Sequence, residues 1–313
     1  MKGIELAEKY FNECGKPMLE KEFADILPLL ACGIAGEGSE CFGFDDDISK
    51  DHDFEAGFCI FLPGEEKVDR RAAFLLERAY AKLPKEFEGI ARPMLAPVGG
   101  ARKGVIHTGD FFLEKVGSAS GDLTPKEWLS LPEQSLAEAT NGKVFFDNLG
   151  EFTKIRKKLE YFPEDVRLKK LSGNLLIMAQ SGQYNYKRLL DHGEPAAAQL
   201  AVYEFVNHAM AAIFLLNRVY MPYYKWSFRA LRRLPKLSLE AEIMEYLLTT
   251  DNSSDLAEEK YYAIEGIAAD IIDELAEQNI TKAICGDLQK HAYSVNDCIE
   301  DGEIRNLHIL AAI

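Results

Sequence analysis

The sequence predicts an α+β protein in which a half with a small mixed sheet and flanking helices precedes an all-helical half. Short apolar runs bounded by turn residues alternate with amphipathic stretches up to about residue 150. From about residue 151 onward, apolar residues recur at helical spacing. The sequence contains no repeat and no low-complexity linker. We therefore expect two domains, 1–150 and 151–313.

In the first half, helices and short strands are expected to follow one another. Residues 1–33 are expected to form two helices, and an apolar stripe over 67–83 predicts a third helix that ends before Pro84. Apolar runs of strand length lie between turn residues. The predicted strands occupy 58–62, 104–108 and 143–148.

A capped helix start is predicted at Thr124, because Pro125 at the first helical position and Glu127 complete a capping box. The apolar last residues, Leu307 to Ile313, are expected to pack on the core or on a second subunit, and the second arrangement would make a homodimer. The helices predicted in the second half are 197–220, 239–249, 256–278 and 281–291.

The composition is that of an acidic globular protein. The chain has 313 residues, with 36 Lys and Arg against 51 Asp and Glu, so its formal net charge is -15. Such a chain repels phosphate backbones and anionic lipid surfaces. We therefore expect neither a long nucleic acid nor a membrane among its partners.

The cysteines and the apolar segments indicate a cytoplasmic protein. The first residues are amphipathic and acidic, unlike a signal peptide, and no apolar stretch approaches the roughly 18 residues of a spanning helix. None of the six cysteines has C-x-x-C spacing, which argues against a zinc or dithiol redox centre. We therefore expect the cysteines to be reduced.

The charge is unevenly distributed along the chain. Residues 151–236 hold 15 Lys and Arg and 7 Asp and Glu, a balance of +8, whereas the remainder carries -23. A solvated helix face would explain this basic stretch. A clamp for a phosphate ligand would explain it equally well.

One group of residues in the first half indicates a specific chemistry. Gly38-Ser39 is followed after eleven residues by Asp51-His52-Asp53. Two carboxylates at i and i+2 of a strand point to the same face, where they can bind one or two hard cations. The amides and hydroxyl of a Gly-Ser turn suit the phosphates of a nucleotide bound to the same metal. The combination indicates phosphoryl or nucleotidyl transfer.

These residues resemble the signature of the polymerase-beta-type nucleotidyltransferase superfamily. The string GSECFGFDDDISKDHDF also resembles a narrower bacterial family, described as domain of unknown function 4037, and further motifs extend this resemblance over roughly residues 30–236. The resemblance implies a nucleotidyltransferase-like fold followed by a helical C-terminal domain. It also implies that Gly38 and Ser39 bind the triphosphate, and that Asp51 and Asp53 bind two catalytic Mg²⁺ ions. It brings no established substrate.

The same resemblance implies a third carboxylate on a later strand, which would bind metal and help to activate the attacking hydroxyl. Asp110, after the predicted strand 104–108, is the first candidate, and Asp147 is the second. Asp110 would alternatively cap a helix that begins at Phe111. If neither acid reaches the metals, catalysis would be weak or absent.

Basic and aromatic residues of the second half are candidates for further nucleotide contacts. Lys225 is expected to neutralise the triphosphate, and Tyr224 or Trp226 to stack on a base. Arg188, in a polar and aromatic cluster over 183–188, is expected to contact the nucleotide or the acceptor. The alternatives are a packing role for the aromatics and a solvated face for the cations.

The leading hypothesis is therefore a Mg²⁺-dependent nucleotidyltransferase. An acceptor hydroxyl would attack the α-phosphate of a nucleoside triphosphate, with AMP as the expected transferred group. The acceptor is expected to be a small hydroxylated molecule or a protein side chain bound between the domains. The alternatives are a noncatalytic nucleotide-binding or toxin-neutralising module that keeps the fold, and a purely structural partner protein.

Overall fold

The computed structural model describes residues 1–46, 56–92 and 103–313, apart from the side chain of Ser254, so Asp51 and Asp53 lie outside the described residues. Its secondary structure confirms the α+β class, with a small mixed sheet followed by helices. The strands are β1 (Ala31–Ile34), β2 (Cys59–Leu62), β3 (Glu86–Phe87), β4 (Ile90–Ala91), β5 (Gly104–His107) and β6 (Lys143–Asp147). The α-helices are α1 (Gly3–Tyr10), α2 (Lys16–Glu22), α3 (Arg70–Lys82), α4 (Thr108–Val116), α5 (Pro125–Ser130), α6 (Glu133–Thr140), α7 (Glu151–Lys158), α8 (Glu164–Met178), α9 (Lys187–Asp191), α10 (Pro195–Leu216), α11 (Tyr224–Leu231), α12 (Glu240–Thr249), α13 (Ser254–Glu277), α14 (Leu288–Asp297) and α15 (Gly302–Asn306).

The chain divides into two compact units whose boundaries differ from 1–150 and 151–313. The first unit comprises Met1–Leu123 and Gln134–Glu160, and the second comprises Thr124–Glu133 and Tyr161–Ile313. Helix α7 belongs to the first unit because its Phe152 ring stacks on Phe61 of the sheet, with ring centroids 4.0 Å apart. Helix α5 belongs to the second unit, where Trp128 packs edge-on against Phe162 at 5.8 Å.

The main sheet of the first unit has the strand order β5-β2-β1-β6. Strand β1 is antiparallel to β2 and β6, and β2 is parallel to β5. One edge of the sheet, which we call the turn edge, is therefore formed by the end of β1 and the starts of β2, β5 and β6. The opposite edge, which we call the far edge, is formed by Ala31, Leu62, His107 and Asp147.

The expectation of two helices over residues 1–33 is wrong at its end, because Ala31–Ile34 form β1. A π-helical turn joins α1 to α2, and a 3-10 turn at Leu27–Leu29, which contains Pro28, follows before the strand. All four residues of β1 are buried. A short run that is buried on both faces has no periodicity that separates a strand from a helix.

One face of the sheet contributes to the hydrophobic core of the first unit. Phe58, Ile60 and Leu62 alternate along β2 and pack in one cluster with Tyr10 of α1 and Leu76 of α3. Each side chain of this size contributes about 1.5–3 kcal/mol when it is fully buried. This cluster holds β2 in place, and the first residue of β2 lies at the turn edge.

Helix α10 is the long apolar helix of the second unit. Within the described residues it alone is long and apolar enough to cross a membrane, with a mean hydropathy of 1.3 over its most apolar window. This corrects the expectation that no apolar stretch approaches the length of a spanning helix. Because 72% of that window is buried inside the structure, α10 has the burial of a core helix.

The predicted helix boundaries of the second unit are confirmed at one position and wrong at another. The capping box at Thr124 is present, with Glu127 as its partner. The helix predicted over 281–291 is absent up to residue 287, and α14 begins at Leu288 instead. Its cap is Asp287, which accepts a hydrogen bond from the amide of Gln289 at 2.9 Å.

Candidate functional site

The residues predicted to bind phosphate form a tight turn after β1, which we call the Gly-Ser turn (Gly38–Phe44). The amides of Cys41 and Phe44 donate to the carbonyls of Gly38 and Ser39, each at 2.9 Å. Within the described part of the chain, the amides of Gly38, Ser39 and Glu40 donate no hydrogen bond, nor does the Ser39 hydroxyl. Successive free amides are the donors from which anion-binding turns are built.

The side chain of Glu40 folds back over Gly38. A Cβ atom at position 38 would lie 2.3 Å from a carboxylate oxygen of Glu40. That carboxylate pairs with Nζ of Lys103 at 3.1 Å, and the two side chains are only 8% and 9% exposed. Lys103 directly precedes β5, and its stem lies against Gly57. Glycine at position 38 therefore allows this ion pair to form beneath the turn.

Two buried thiols lie near the same ion pair. Burial raises the pKa of the Cys59 thiol to about 11, and the Lys103 ammonium offsets this in part. Burial also raises the pKa of Cys41 well above its ordinary value. Both thiols are therefore protonated near neutral pH, and neither is activated as a nucleophile.

Polar side chains of the first unit hold the chain just before the Gly-Ser turn. The amide of Asn141 donates to the carbonyl of Gly36 at 2.7 Å, and its oxygen accepts from the Gly36 amide at 2.9 Å. This clamp secures Gly36 at a φ of 119°, a conformation that glycine adopts easily. Lys115 pairs with Glu37 at 2.7 Å and with Glu138 at 3.1 Å. The chain that enters the turn is therefore held in place by side chains of the first unit.

The sheet register determines which residues share an edge with the Gly-Ser turn. The turn leaves β1 at the turn edge, where Cys59 begins β2 and pairs with Gly104 at the start of β5. Asp51 and Asp53, which precede β2 in the sequence, lie outside the described residues, and their role in metal binding stays a prediction.

Both candidates for a third carboxylate lie at the other end of the strands. Asp147 stands opposite Ala31 at the far edge. Asp110 follows His107, which pairs with Leu62 at that same edge. Strands of four residues separate the two edges by roughly 10 Å. Neither position supports a role for these acids next to the Gly-Ser turn.

The contacts of these two acids are those of helix starts. Asp147 accepts hydrogen bonds at 2.8 Å from two backbone amides at the start of α7. Asp110 is exposed and lies in the first turn of α4. The helix begins at Thr108, so Asp110 does not cap a helix that begins at Phe111.

The described residues do not supply a metal site. No group of three His, Cys, Asp or Glu side chains within 1–46, 56–92 and 103–313 could hold a metal ion. Near the Gly-Ser turn, Glu40 is already paired, and Asp45 accepts a hydrogen bond from the Gly3 amide at 2.9 Å. A Mg²⁺ ion here would therefore depend on Asp51 and Asp53, whose hard oxygen ligands suit this ion.

In the second unit, Tyr224 and Lys225 begin α11 and are both exposed. Nζ of Lys225 lies 4.9 Å from the centre of the Trp226 ring, and the Arg229 guanidinium lies 5.3 Å from it. Cations therefore already contact Trp226, whereas the Tyr224 ring is 76% exposed and packs against Tyr223, with ring centroids 4.3 Å apart. The triphosphate contact of Lys225 stays a prediction.

Arg188 lies in α9, directly after a π-helical segment over Ala179–Tyr186. Its guanidinium donates to the hydroxyl of Tyr184 at 3.0 Å and lies 5.6 Å from the centre of that ring. The two side chains are exposed and order each other. A contact between Arg188 and a nucleotide stays a prediction.

Sequence reasoning missed three residues that shape the Gly-Ser turn, namely Glu40, Lys103 and Asn141. The Asn141-Gly142 dipeptide between a helix and a strand is a turn signal that could have drawn attention to it. No local signal separates Glu40 and Lys103 from exposed charged residues, because their pairing depends on the sheet. The buried ion pair is therefore visible in the tertiary structure alone.

Family models, curated proteins and solved structures show which known proteins this chain is similar to. The family model described as Domain of unknown function (DUF4037) matches residues 128–227, which confirms the resemblance to this family over that segment. No curated protein matches the chain.

Among solved structures, the chain is similar to a nucleotidyltransferase-like protein from Exiguobacterium sibiricum 255-15. The identity is 11% and the TM-score 0.37, over 83% of this chain and 76% of that one.

Proposed function

We propose that this protein is a Mg²⁺-dependent nucleotidyltransferase that moves AMP from ATP to a hydroxyl of a small-molecule or protein acceptor. The acceptor oxygen attacks the α-phosphorus, the bond from that phosphorus to the bridging oxygen of the β-phosphate breaks, and pyrophosphate leaves. The proton of the hydroxyl passes to a base or to water. Such a reaction needs charge neutralisation and alignment more than covalent chemistry by the protein.

The observation that carries the proposal is the Gly-Ser turn itself. Three successive amides, of Gly38, Ser39 and Glu40, and the Ser39 hydroxyl have no partner in the described part of the chain. These donors suit the β- and γ-phosphates of a nucleotide. The sequence motif that follows this turn has the carboxylates that the bound metal would need.

The ion pair beneath the turn supports binding of an anion. A buried carboxylate beside the turn would repel a triphosphate, and Lys103 at 3.1 Å neutralises the charge of Glu40. The turn therefore offers hydrogen-bond donors without a net negative charge below them. Asp51 and Asp53 would hold Mg²⁺, and Lys225, Tyr224 and Arg188 would add contacts to the nucleotide.

The test is transfer of label from ATP labelled at the α-phosphate, with Mg²⁺, to acceptors in a small-molecule extract and in a protein extract. The matched control is Asp53→Ala. Label transfer and pyrophosphate release by the natural protein, both lost in Asp53→Ala, are the expected result. Equal signals from the two proteins would remove the assignment.

A second candidate function, a noncatalytic nucleotide-binding or toxin-neutralising module, is favoured by one observation. Asp110 and Asp147 both lie at the far edge, and the residue that precedes β5 at the turn edge is Lys103. A site without a third carboxylate at that position would bind nucleotide without activating an acceptor hydroxyl. Calorimetry with ATP and Mg²⁺ distinguishes the candidates, because nucleotide binding without pyrophosphate release in the presence of acceptor extracts indicates the module.

A further inference from the structure

The second unit contains a cavity of about 740 Å³. No residue proposed to contact the nucleotide lines it, although one of them, Arg188, donates to the hydroxyl of the lining residue Tyr184. One wall is the π-helical segment Ala179–Tyr186, and another is formed by Gly286, Asp287 and Gln289, before and at the start of α14. Helix α13 contributes Glu265. Pockets of several hundred cubic ångströms are the usual size for small-molecule sites, and π-helical segments are frequent at functional sites.

One amide side chain joins the three walls and preorganises the cavity. The oxygen of Gln183 accepts from the amide of Leu288 at 2.9 Å. Its nitrogen donates to the Glu265 carboxylate at 2.8 Å and to the Gly286 carbonyl at 2.9 Å. The cavity is therefore held open by protein bonds and does not depend on a ligand to assemble it.

Several polar groups on the cavity wall have unused hydrogen-bonding capacity. The side-chain amides of Gln180, Asn185 and Gln289 make no hydrogen bond in the described part of the chain. Each amide offers both donors and an acceptor. The Tyr184 ring is 62% exposed beside them and is oriented by Arg188. A ligand that satisfies these groups must itself carry donors and acceptors around a body that packs on an aromatic ring.

The charge of the cavity determines which ligand charge it favours. Glu265 and Asp287 line it, and none of its described lining residues is a Lys, Arg or His. The Glu265 carboxylate also raises the pKa of the neighbouring Tyr261 hydroxyl, which it contacts. The Arg188 guanidinium, bonded to the Tyr184 hydroxyl, is the neighbouring cation, so the two carboxylates leave a negative balance that favours amines over phosphates and carboxylates. The amides in turn favour a ligand with hydroxyls over a simple polyamine, which has no acceptors for their N–H groups.

We propose that this cavity binds a small polyhydroxylated amine of the amino-sugar type. Protonated amines pair with Glu265 and Asp287, hydroxyls bind the free amides of Gln180, Asn185 and Gln289, and a ring face packs on Tyr184. Binding to this cavity is measured without nucleotide or metal, so failure of this proposal and failure of the proposed transfer reaction are distinguishable.

The test is isothermal titration calorimetry of the full chain with a glucosamine disaccharide at about pH 6, where such amines are protonated. The matched probe is its N,N′-diacetyl form, which keeps the hydroxyls and loses the charges. Spermidine is the third probe, with amines and no hydroxyls. The expected result is that the free-amine disaccharide binds on the order of tenfold more tightly than either of the others.

Two variants and two matched controls locate the binding. Gly286→Leu adds a branched side chain to the cavity wall, and position 286 has open space for a Cβ and no left-handed backbone, so the variant should fold. Tyr184→Ala removes the exposed ring. Gly266→Leu, which also faces open space, and Tyr203→Ala, whose ring is 59% exposed, lie outside the cavity.

Loss of disaccharide binding in both cavity variants, with binding kept in both controls, supports the proposal. Unchanged binding in Gly286→Leu would place the ligand elsewhere and overturn it. Equal or tighter binding of the diacetyl form or of spermidine would overturn the assigned ligand class. Absence of binding by the free-amine disaccharide at millimolar concentration would overturn the site.

Discussion

The ammonium of Lys103 lies 3.1 Å from the carboxylate of Glu40, and both side chains are more than nine-tenths buried. The pair links the Gly-Ser turn to the start of β5. Taking two charges out of water is costly, and their attraction offsets that cost only while both partners are present. The ion pair therefore makes the position of the turn depend on an intact sheet.

Breaking this ion pair should destabilise the protein strongly. Glu40→Gln takes the carboxylate away from the buried Lys103 ammonium, and Lys103→Met takes the ammonium away from the buried Glu40 carboxylate. Each change should lower the free energy of unfolding by about 3 kcal/mol. The double variant should lose clearly less than the sum, because it leaves no buried charge. Urea unfolding measures all three. The exposed pair Lys16–Glu20 is the control, and Lys16→Met should change stability by less than about 0.5 kcal/mol. Additive losses in the double variant would contradict the coupling.

A methyl group at position 38 should disturb the same pair. In Gly38→Ala the new Cβ would meet the Glu40 carboxylate at 2.3 Å, so that side chain must shift, and the shift strains its pairing with Lys103. We expect a stability loss on the order of 2 kcal/mol and weaker ATP binding. In the Glu40→Gln/Lys103→Met background, the stability loss from Gly38→Ala should be much smaller. An equal loss in the two backgrounds would show that the cost arises elsewhere.

Substitution of Asp147 and substitution of Asp110, the two acids at the far edge, should have different effects. Asp147→Ala removes the acceptor for two amides at the start of α7 and should lower the free energy of unfolding by about 1 kcal/mol. The Asp110 side chain is exposed, so Asp110→Asn should leave both stability and nucleotide transfer unchanged. Thermal unfolding and the labelled-ATP assay measure these effects. Loss of transfer in Asp110→Asn with intact ATP binding would identify Asp110 as the third carboxylate after all.

Lys225 should contribute to nucleotide affinity if the proposed role is correct. Lys225→Ala should weaken ATP binding by about fivefold to tenfold, since one charge contact to phosphate is typically worth 1 kcal/mol or more. Lys282→Ala removes an exposed positive charge elsewhere in the second unit and should change ATP affinity little. Calorimetry with ATP and Mg²⁺ compares them. Equal affinities for the natural protein and both variants would remove Lys225 from the site.

Helix α12 begins with a buried carboxyl group that should make stability depend on pH. Glu240 is 5% exposed, and its Oε2 atom has no hydrogen-bond partner in the described part of the chain. Burial, and then the neighbouring Asp270 carboxylate, raise the pKa of Glu240 from 4.5 to about 7. Because the pKa is raised in the folded state, the neutral carboxyl group of Glu240 stabilises the fold fully below pH 4.5. This stabilisation is lost as the pH rises through about 7.

The free energy of unfolding should therefore fall between about pH 5 and pH 8, by on the order of 2 kcal/mol from this group. Glu240→Gln should flatten the profile, because glutamine stays neutral at every pH. Urea unfolding at both pH values measures the difference. The exposed carboxylate of Glu242 in the same helix is the control, and Glu242→Gln should leave the slope unchanged. The same slope in Glu240→Gln would assign the dependence to other groups.

The elements predicted correctly have strong local signals. The capping box at Thr124 is complete within four residues, and the strands β2, β5 and β6 are apolar runs between turn residues. Strand β1 was missed because it is short and buried on both faces, so its sequence has neither helical nor alternating periodicity. Its identity depends on two neighbouring strands that come later in the chain.

The candidate site also contains some residues that the local sequence identifies and others that only the fold places. The Gly-Ser pair, Asp51 and Asp53 are recognisable from spacing and residue type, since the chemistry of phosphate and magnesium restricts both. Asp110 and Asp147 are equally plausible by spacing, and only the strand register assigns them to the far edge. Register depends on pairing between residues far apart in the sequence, which no local pattern records.

The α+β class, the helical second part and the residues that indicate nucleotide chemistry are readable from the amino-acid sequence, because periodicity, turn residues and ligand types are local properties. Tertiary structure alone decided the unit boundaries, the buried pair of Glu40 and Lys103, and the polar cavity beside the π-helical segment. Burial and pairing of charges arise from contacts between distant segments. Such contacts form only when the chain has folded.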